Sequence, residues 1–292
     1  MEFYVGTSGW SYPWNPDGIE WYSSSSGLNA VELNSSFYRF PFRSMVRSWA
    51  RRAELRWSVK VHRSITHSRR MKMPGALEAF RRFLEVFKPM EEAGIIDFYL
   101  FQMPPQFGAG EENWRRIEEM SDATGLGPRM AVEWRNASWF RDEWVERARE
   151  IGITVVSMDA PDFSFYARSS DRSYTRMHGR TAWYAHDYSD AELEEVASRV
   201  ISLGGSSAYI FFNNDHAMLE NARRMMEKLR RMGLTGSRRR SRWTVSGPSD
   251  TSRRAGQRCR SAPSSIPTWS SGPTALRRAA AGRNGRGSEA AA

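Results

Sequence analysis

Two glutamates stand where acids are seldom found. In AVELNSSFYR (30–39) and again in AVEWRNASWFR (131–141), Glu32 and Glu133 lie between apolar residues in a β-like run, and a polar, aromatic loop follows each time. A carboxylate buried alone is costly, so each needs a cation or hydrogen-bond donors. Partners occur in similar runs: Lys60 in WSVKVH, Arg135 two residues after Glu133, Arg176 and His178 in SYTRMH, and a third acid, Asp159, in ITVVSMD. Such a mixture suits general acid–base chemistry. Glu133 is the expected acid or base and Glu32 its partner. Lys60, Arg135 and His178 are expected to bind or polarise an anionic group. Glu133, Asp159 and His178 could also ligate a divalent metal, but the multi-histidine cluster of a zinc site is missing, so metal dependence is not favoured. The competing reading is an ion network with a purely structural role.

Only a regular scaffold can bring these groups together. Eight β-rich runs recur, at 3–8, 29–34, 57–62, 97–102, 130–135, 153–159, 173–178 and 208–214. Helical patterns separate most of them, at 44–53, 75–92, 111–124 and 141–151. Ser189 with Glu192 forms a capping box for the next helix. Asn214 or Asp215 is expected to cap the last. The crossovers at 15–28 and after Asp159 show no clear helix. Strand–helix alternation implies a parallel sheet, and eight such units fit a single-domain (β/α)8 TIM-type barrel over residues 1–234. An open doubly wound sheet competes, but no GxGxxG or P-loop follows any strand.

Side chains alternate along a strand, so the sets holding small and polar members should face the barrel axis. These are Ala30, Glu32 and Asn34; Ser58, Lys60 and His62; Ala131, Glu133 and Arg135; Ile153, Val155, Ser157 and Asp159; and Tyr174, Arg176 and His178, with Gln102 ending the fourth run. The polar members gather at the C-terminal strand ends, where such barrels carry their sites. On the loops beyond, Trp10, Tyr38 and Trp139 offer stacking faces. His67 in ITHSRR and Arg180 in MHGR offer contacts for a phosphate or carboxylate.

Composition removes other classes. The net charge of +10 belongs to the last stretch: residues 235–292 hold 12 Arg, no Lys and two acids, while residues 1–234 hold 31 basic and 31 acidic side chains. The high pI is therefore no sign that the folded part binds nucleic acid. Residues 235–292, rich in Arg, Ser, Ala and Gly, lack the apolar content to order and are expected to be a disordered tail. Cys259 is the only cysteine, which removes an intrachain disulfide framework. With no run of 18 apolar residues and no signal-like N-terminus, no membrane association is expected, and the expected compartment is the cytoplasm.

Seven motifs in order, GTSGWSYPW, VELNSSFYRFP, SVKVHRSITH, LFQMPP, AVEWRNASWF, RMHGR and FFNND, together resemble the YecE-like family, also called domain of unknown function 72, over about residues 3–230. The resemblance implies a TIM-type barrel. It also adds Asn213 and Asn214 to the candidate binding residues. The family's activity is not established; nuclease-like or nucleic-acid-binding roles are implied only by analogy with barrel endonucleases. The expected function is hydrolase- or lyase-type acid/base chemistry on a small or nucleotide-like anionic substrate at the C-terminal mouth. The alternatives are a nucleic-acid-binding or nuclease-like module and a non-catalytic ligand-binding barrel.

Overall fold

A computed structural model describes residues 1–52 and 54–236. Eight parallel strands close into a barrel: β1 (Glu2–Ser8), β2 (Ala30–Leu33), β3 (Arg56–Lys60), β4 (Ile96–Gln102), β5 (Met130–Glu133), β6 (Thr154–Ala160), β8 (Arg172–Met177) and β9 (Ser207–Phe212). β1 pairs with both β2 and β9, and β5 with β6, which completes the ring. A short strand, β7 (Phe163–Phe165), folds back antiparallel onto the end of β6. Gly6 permits the tightest approach in the ring, because a Cβ there would lie 2.3 Å from the Ala30 carbonyl oxygen.

Helices α1 (Gly18–Ser25), α2 (Arg43–Trp49), α3 (Gly75–Glu92), α4 (Glu111–Thr124), α5 (Asp142–Glu150), α6 (Asp190–Ser202) and α7 (Met218–Arg231) surround the ring. α1 occupies the first crossover, where the Ser-rich sequence gave no clear helical pattern. The crossover from β6 to β8 has no helix. The Ser189–Glu192 capping box opens α6 as expected. Neither Asn214 nor Asp215 caps α7: a 3₁₀ turn, Asp215–Ala217, intervenes.

Two apolar layers follow from strand alternation. Val31, Leu33, Val59, Phe101, Val132, Ile210 and Phe212 pack outward against the helices, in a large core that excludes water. Tyr4, Ala30, Phe98, Leu100, Ala131, Val156, Tyr174, Tyr209 and Phe211 fill the interior. Tyr4 stacks on Tyr209 at 4.6 Å, Phe98 meets Tyr174 at 5.0 Å, and Tyr174 meets Phe211 at 5.1 Å. This aromatic plug is fastened at both ends: Tyr209 donates to Asp97 (2.9 Å), and Tyr174 donates to Glu32 (2.5 Å).

The inward parity holds for β2, β5 and β8 but not for β6. Val156 faces the interior, whereas Ile153 and Val155 join the outer core. Ser157 bonds both backbone groups of Ala167 at 3.0 Å. The physical reason is the missing helix: the segment that joins β6 to β8 instead supplies hydrogen-bond partners on that side, Ala167 for Ser157 and Tyr166 for Asp159.

Thr235 bridges Glu2 and accepts a bond from the Phe3 amide (3.1 Å). The expected disordered tail lies, from residue 237 onward, outside the described residues. Among those described, no helix is long and apolar enough to cross a membrane.

Candidate active site

Arg176 is the centre of the mouth. It leaves β8 toward the axis with no exposed surface, as do Glu32 and Glu133 on either side. Its Nε and Nη2 donate to the two oxygens of Glu32 at 2.9 and 2.6 Å, and its Nη1 donates to Glu133 at 2.5 Å. Ser8 and Tyr174 complete Glu32, at 2.6 and 2.5 Å. Arg135 donates to the other oxygen of Glu133 and lies over the Trp183 ring at 4.9 Å. His178 Nε2 is 3.1 Å from Arg135 Nη2, and its Nδ1 is 3.3 Å from the Asn213 amide. Gly179 follows with φ +107°, and a Cβ there would meet the Ala182 carbonyl at 2.5 Å, so the turn after His178 requires glycine.

Electrostatics sort these groups by role. Burial opposes the ionised form of Glu133, but Arg135 and Arg176 outweigh it and hold the carboxyl well below the usual range. Glu133 therefore has no proton to give near neutral pH. Burial, reinforced by the same two arginines, holds His178 well below the usual histidine range, so it is neutral. Nδ1 accepts from the Asn213 side-chain amide, and Nε2 lies 3.4 Å from Glu133 Oε1, so the ring proton belongs on Nε2. Two carboxylates and two guanidiniums thus form a closed, neutral network.

Lys60 is the charge left over. It is 8 % exposed, and among the described residues it makes no ion pair. Its Nζ lies 4.3 Å from the centroid of the Phe37 ring. Burial, then the nearby Arg176, pulls its ammonium down to about 7, although Glu133 and Glu32 act the other way.

Above this floor opens a cavity of about 730 Å³. Of the residues expected from sequence, Lys60, Asn34, Tyr38, His67, Gln102 and Asn213 line it. Glu32, Glu133, Arg135, Arg176 and His178 lie one layer beneath. Ser8, Tyr12, Arg63 and Ser68 also line it and were not among the expected residues. Ser8 could have been found, since it shares the inward parity of Tyr4 and Gly6. Arg63 could not, because a lone arginine past a strand end reads as solvated surface. His67 lies in a single π-turn, Ser64–Ser68, a distortion common at functional sites. Burial and the cations Lys60, Arg135 and Arg63 push His67 down to about 4. Asn34 Oδ1 is buried and has no hydrogen-bond partner among the described residues.

Five other expected residues are placed elsewhere. Trp10 packs edge-on against Trp49 and Trp57, at 5.5 and 5.6 Å, in the outer layer. Trp139 is fully buried, stacked on Trp134 at 5.1 Å, with its indole donating to the Phe107 carbonyl. Asp159 turns outward to Arg180 (2.9 Å), Tyr166 (3.0 Å) and Tyr188 (2.9 Å), and so takes Arg180 with it. Asn214 bonds Asn221 and the His186 carbonyl at 2.7 and 2.6 Å, tying the last loop to α7. With Asp159 facing away, Glu133, Asp159 and His178 do not converge. Among the described residues, no group of three or more His, Cys, Asp or Glu could hold a metal ion.

A closed parallel barrel with its polar groups at the C-terminal ends of the strands defines the chain as a TIM-type barrel protein. Residues 4–242 match the family described as "Protein of unknown function DUF72", and the chain belongs to that family. It is similar to the crystal structure of a DUF72 family protein from Thermotoga maritima MSB8, at 27% identity and TM-score 0.71, covering 79% of this chain and 100% of that one. A DUF72 family protein from Enterococcus faecalis V583 shares the fold at 21% identity and TM-score 0.71, over 78% of this chain and 95% of that one. No curated protein matches the chain.

Proposed function

We propose that the mouth is the active site of an enzyme that performs acid/base chemistry on a small anionic substrate, with Lys60 as the proton-transferring group. The observation that carries this reading is a buried amine with no counter-ion among the described residues, open on one side to a cavity of about 730 Å³. A group that titrates near the operating pH is an efficient proton carrier, and Lys60 is pulled into that range. Arg63 makes no ion pair among the described residues and supplies a free guanidinium for a phosphate or carboxylate. Asn34 Oδ1 offers an unused acceptor for a substrate hydroxyl or amine. Tyr38, 69 % exposed at the rim, gives a face on which a nucleobase could stack. Glu32, Glu133, Arg135 and Arg176 are positioning residues that fix the field around Lys60.

The test is a turnover screen of phosphorylated and carboxylated small molecules, read by mass spectrometry, with wild type beside Lys60→Met. The expected result is turnover that falls by about a hundredfold or more in the variant. Turnover that is equal in both proteins, or absent from both, overturns the proposal.

A further inference from the structure

Lys60 has a second chemical capacity. Resting on the reading of the mouth as a small-anion site, we infer that Lys60 is a nucleophile that forms an imine with a small carbonyl compound carrying a carboxylate or phosphate. The residue type is the first argument. The chain holds four lysines, at positions 60, 72, 88 and 228, and uses arginine for nearly all its other cations. Arginine is the better partner for buried carboxylates, and the two here are already satisfied by Arg135 and Arg176. Lysine at position 60 is therefore not needed to balance charge. What it supplies, and arginine cannot, is a nitrogen that can lose its proton.

Environment is the second argument. An amine is made nucleophilic by desolvation and by neighbouring cations, and Lys60 has both: it is 8 % exposed, Arg176 and Arg135 lie nearby, and among the described residues it makes no ion pair, so these outweigh the pull of the Phe37 face on the ammonium. Its open side is the cavity, where Arg63 can hold the anionic end of a substrate and Asn34 a hydroxyl.

The step balances within the site. The neutral Lys60 nitrogen attacks the carbonyl carbon, an N–C bond forms, and the carbonyl π pair moves to oxygen. The nitrogen proton transfers to that oxygen, giving a carbinolamine. The nitrogen lone pair then expels the hydroxyl, which takes a proton from solvent at the open mouth and leaves as water. The product is a protonated imine, an electron sink for bond cleavage or proton loss at the adjacent carbon.

The experiment treats the full chain with pyruvate, glyoxylate or acetone in the presence of cyanoborohydride and locates adducts by peptide mass spectrometry. Inorganic phosphate binding to wild type and Lys60→Met is measured by calorimetry alongside. We expect one dominant adduct, on Lys60, with a labelling rate that rises through a midpoint near 7. Acetone, lacking the anion, should label about tenfold more slowly or worse. Lys72, Lys88 and Lys228 are internal references. Label on Lys60 no faster than on these three overturns the imine. If phosphate still binds in a Lys60-dependent way in that case, the small-anion reading stands without it. Loss of both results overturns both. Acetone labelling as fast as pyruvate overturns the anionic substrate class.

Discussion

Replacing Arg176 with methionine should be the most damaging single change at the barrel mouth. The guanidinium, fully buried, makes two bonds to Glu32 and one to Glu133, between 2.5 and 2.9 Å. Methionine fills much of the volume but leaves Glu32 with only the Ser8 and Tyr174 hydroxyls. Glu133 keeps Arg135. Breaking a buried pair in this way costs about 3–5 kcal/mol, because an uncompensated charge remains. The loss should depend on pH. Arg176 helps to depress Glu133, so the stability it confers is present above the ordinary carboxylate range and fades as pH falls through the lower folded value. Urea unfolding followed by tryptophan fluorescence at pH 7.5 and pH 4 should show the larger deficit at pH 7.5. Adding Glu32→Gln to the variant should restore part of the loss at pH 7.5. A cost below about 1 kcal/mol for Arg176→Met would refute the claim that this residue neutralises both acids.

Two further outcomes follow from the same charge arrangement. Lys60→Met should be more stable than wild type at pH 6, because a lysine pulled from 10.5 to about 7 opposes folding while it is protonated. At about 1.4 kcal/mol per pH unit the gain approaches about 5 kcal/mol, and it should shrink as pH rises from 7 toward 10.5; thermal melts across that range check it. Asp159→Asn should lower stability by about 1–3 kcal/mol through the loss of its bonds to Arg180, Tyr166 and Tyr188, yet leave phosphate binding at the mouth unchanged in calorimetry.

Much of the scaffold was legible because its signals are local. Eight β-rich runs separated by helical periodicity suffice to read a parallel barrel, and α3, α4 and the α6 capping box fall where the pattern places them. Residue direction was legible only where a strand's outer neighbour is an apolar helix. β6 breaks the rule: no helix follows it, and the segment joining it to β8 supplies partners for Ser157 and Asp159 on the outer side. Trp139 shows a related limit: an aromatic after a strand end looks like a rim residue, and only the turn Ala137–Trp139 decides that it packs beneath. The bridge from Arg176 to both Glu32 and Glu133 joins residues far apart in sequence. Its existence depends on how the closed barrel aligns distant strands, which no single stretch encodes. From sequence, Glu32 and Glu133 read as two walls of one pocket; they lie beneath the cavity and not among its lining residues, and the arginine that bridges both was visible only as one cation among several.

The central claim is that Lys60, which makes no ion pair among the described residues, is an amine that titrates near neutral pH. Titrating its side chain directly, by following the ¹³Cε shift of selectively labelled lysine against pH and assigning it with Lys60→Met, tests that claim without knowledge of the substrate. A midpoint near 7 is predicted for Lys60. A Lys60 midpoint near 10.5 would contradict the account, since the amine would then be an ordinary cation with no special chemistry at the barrel mouth.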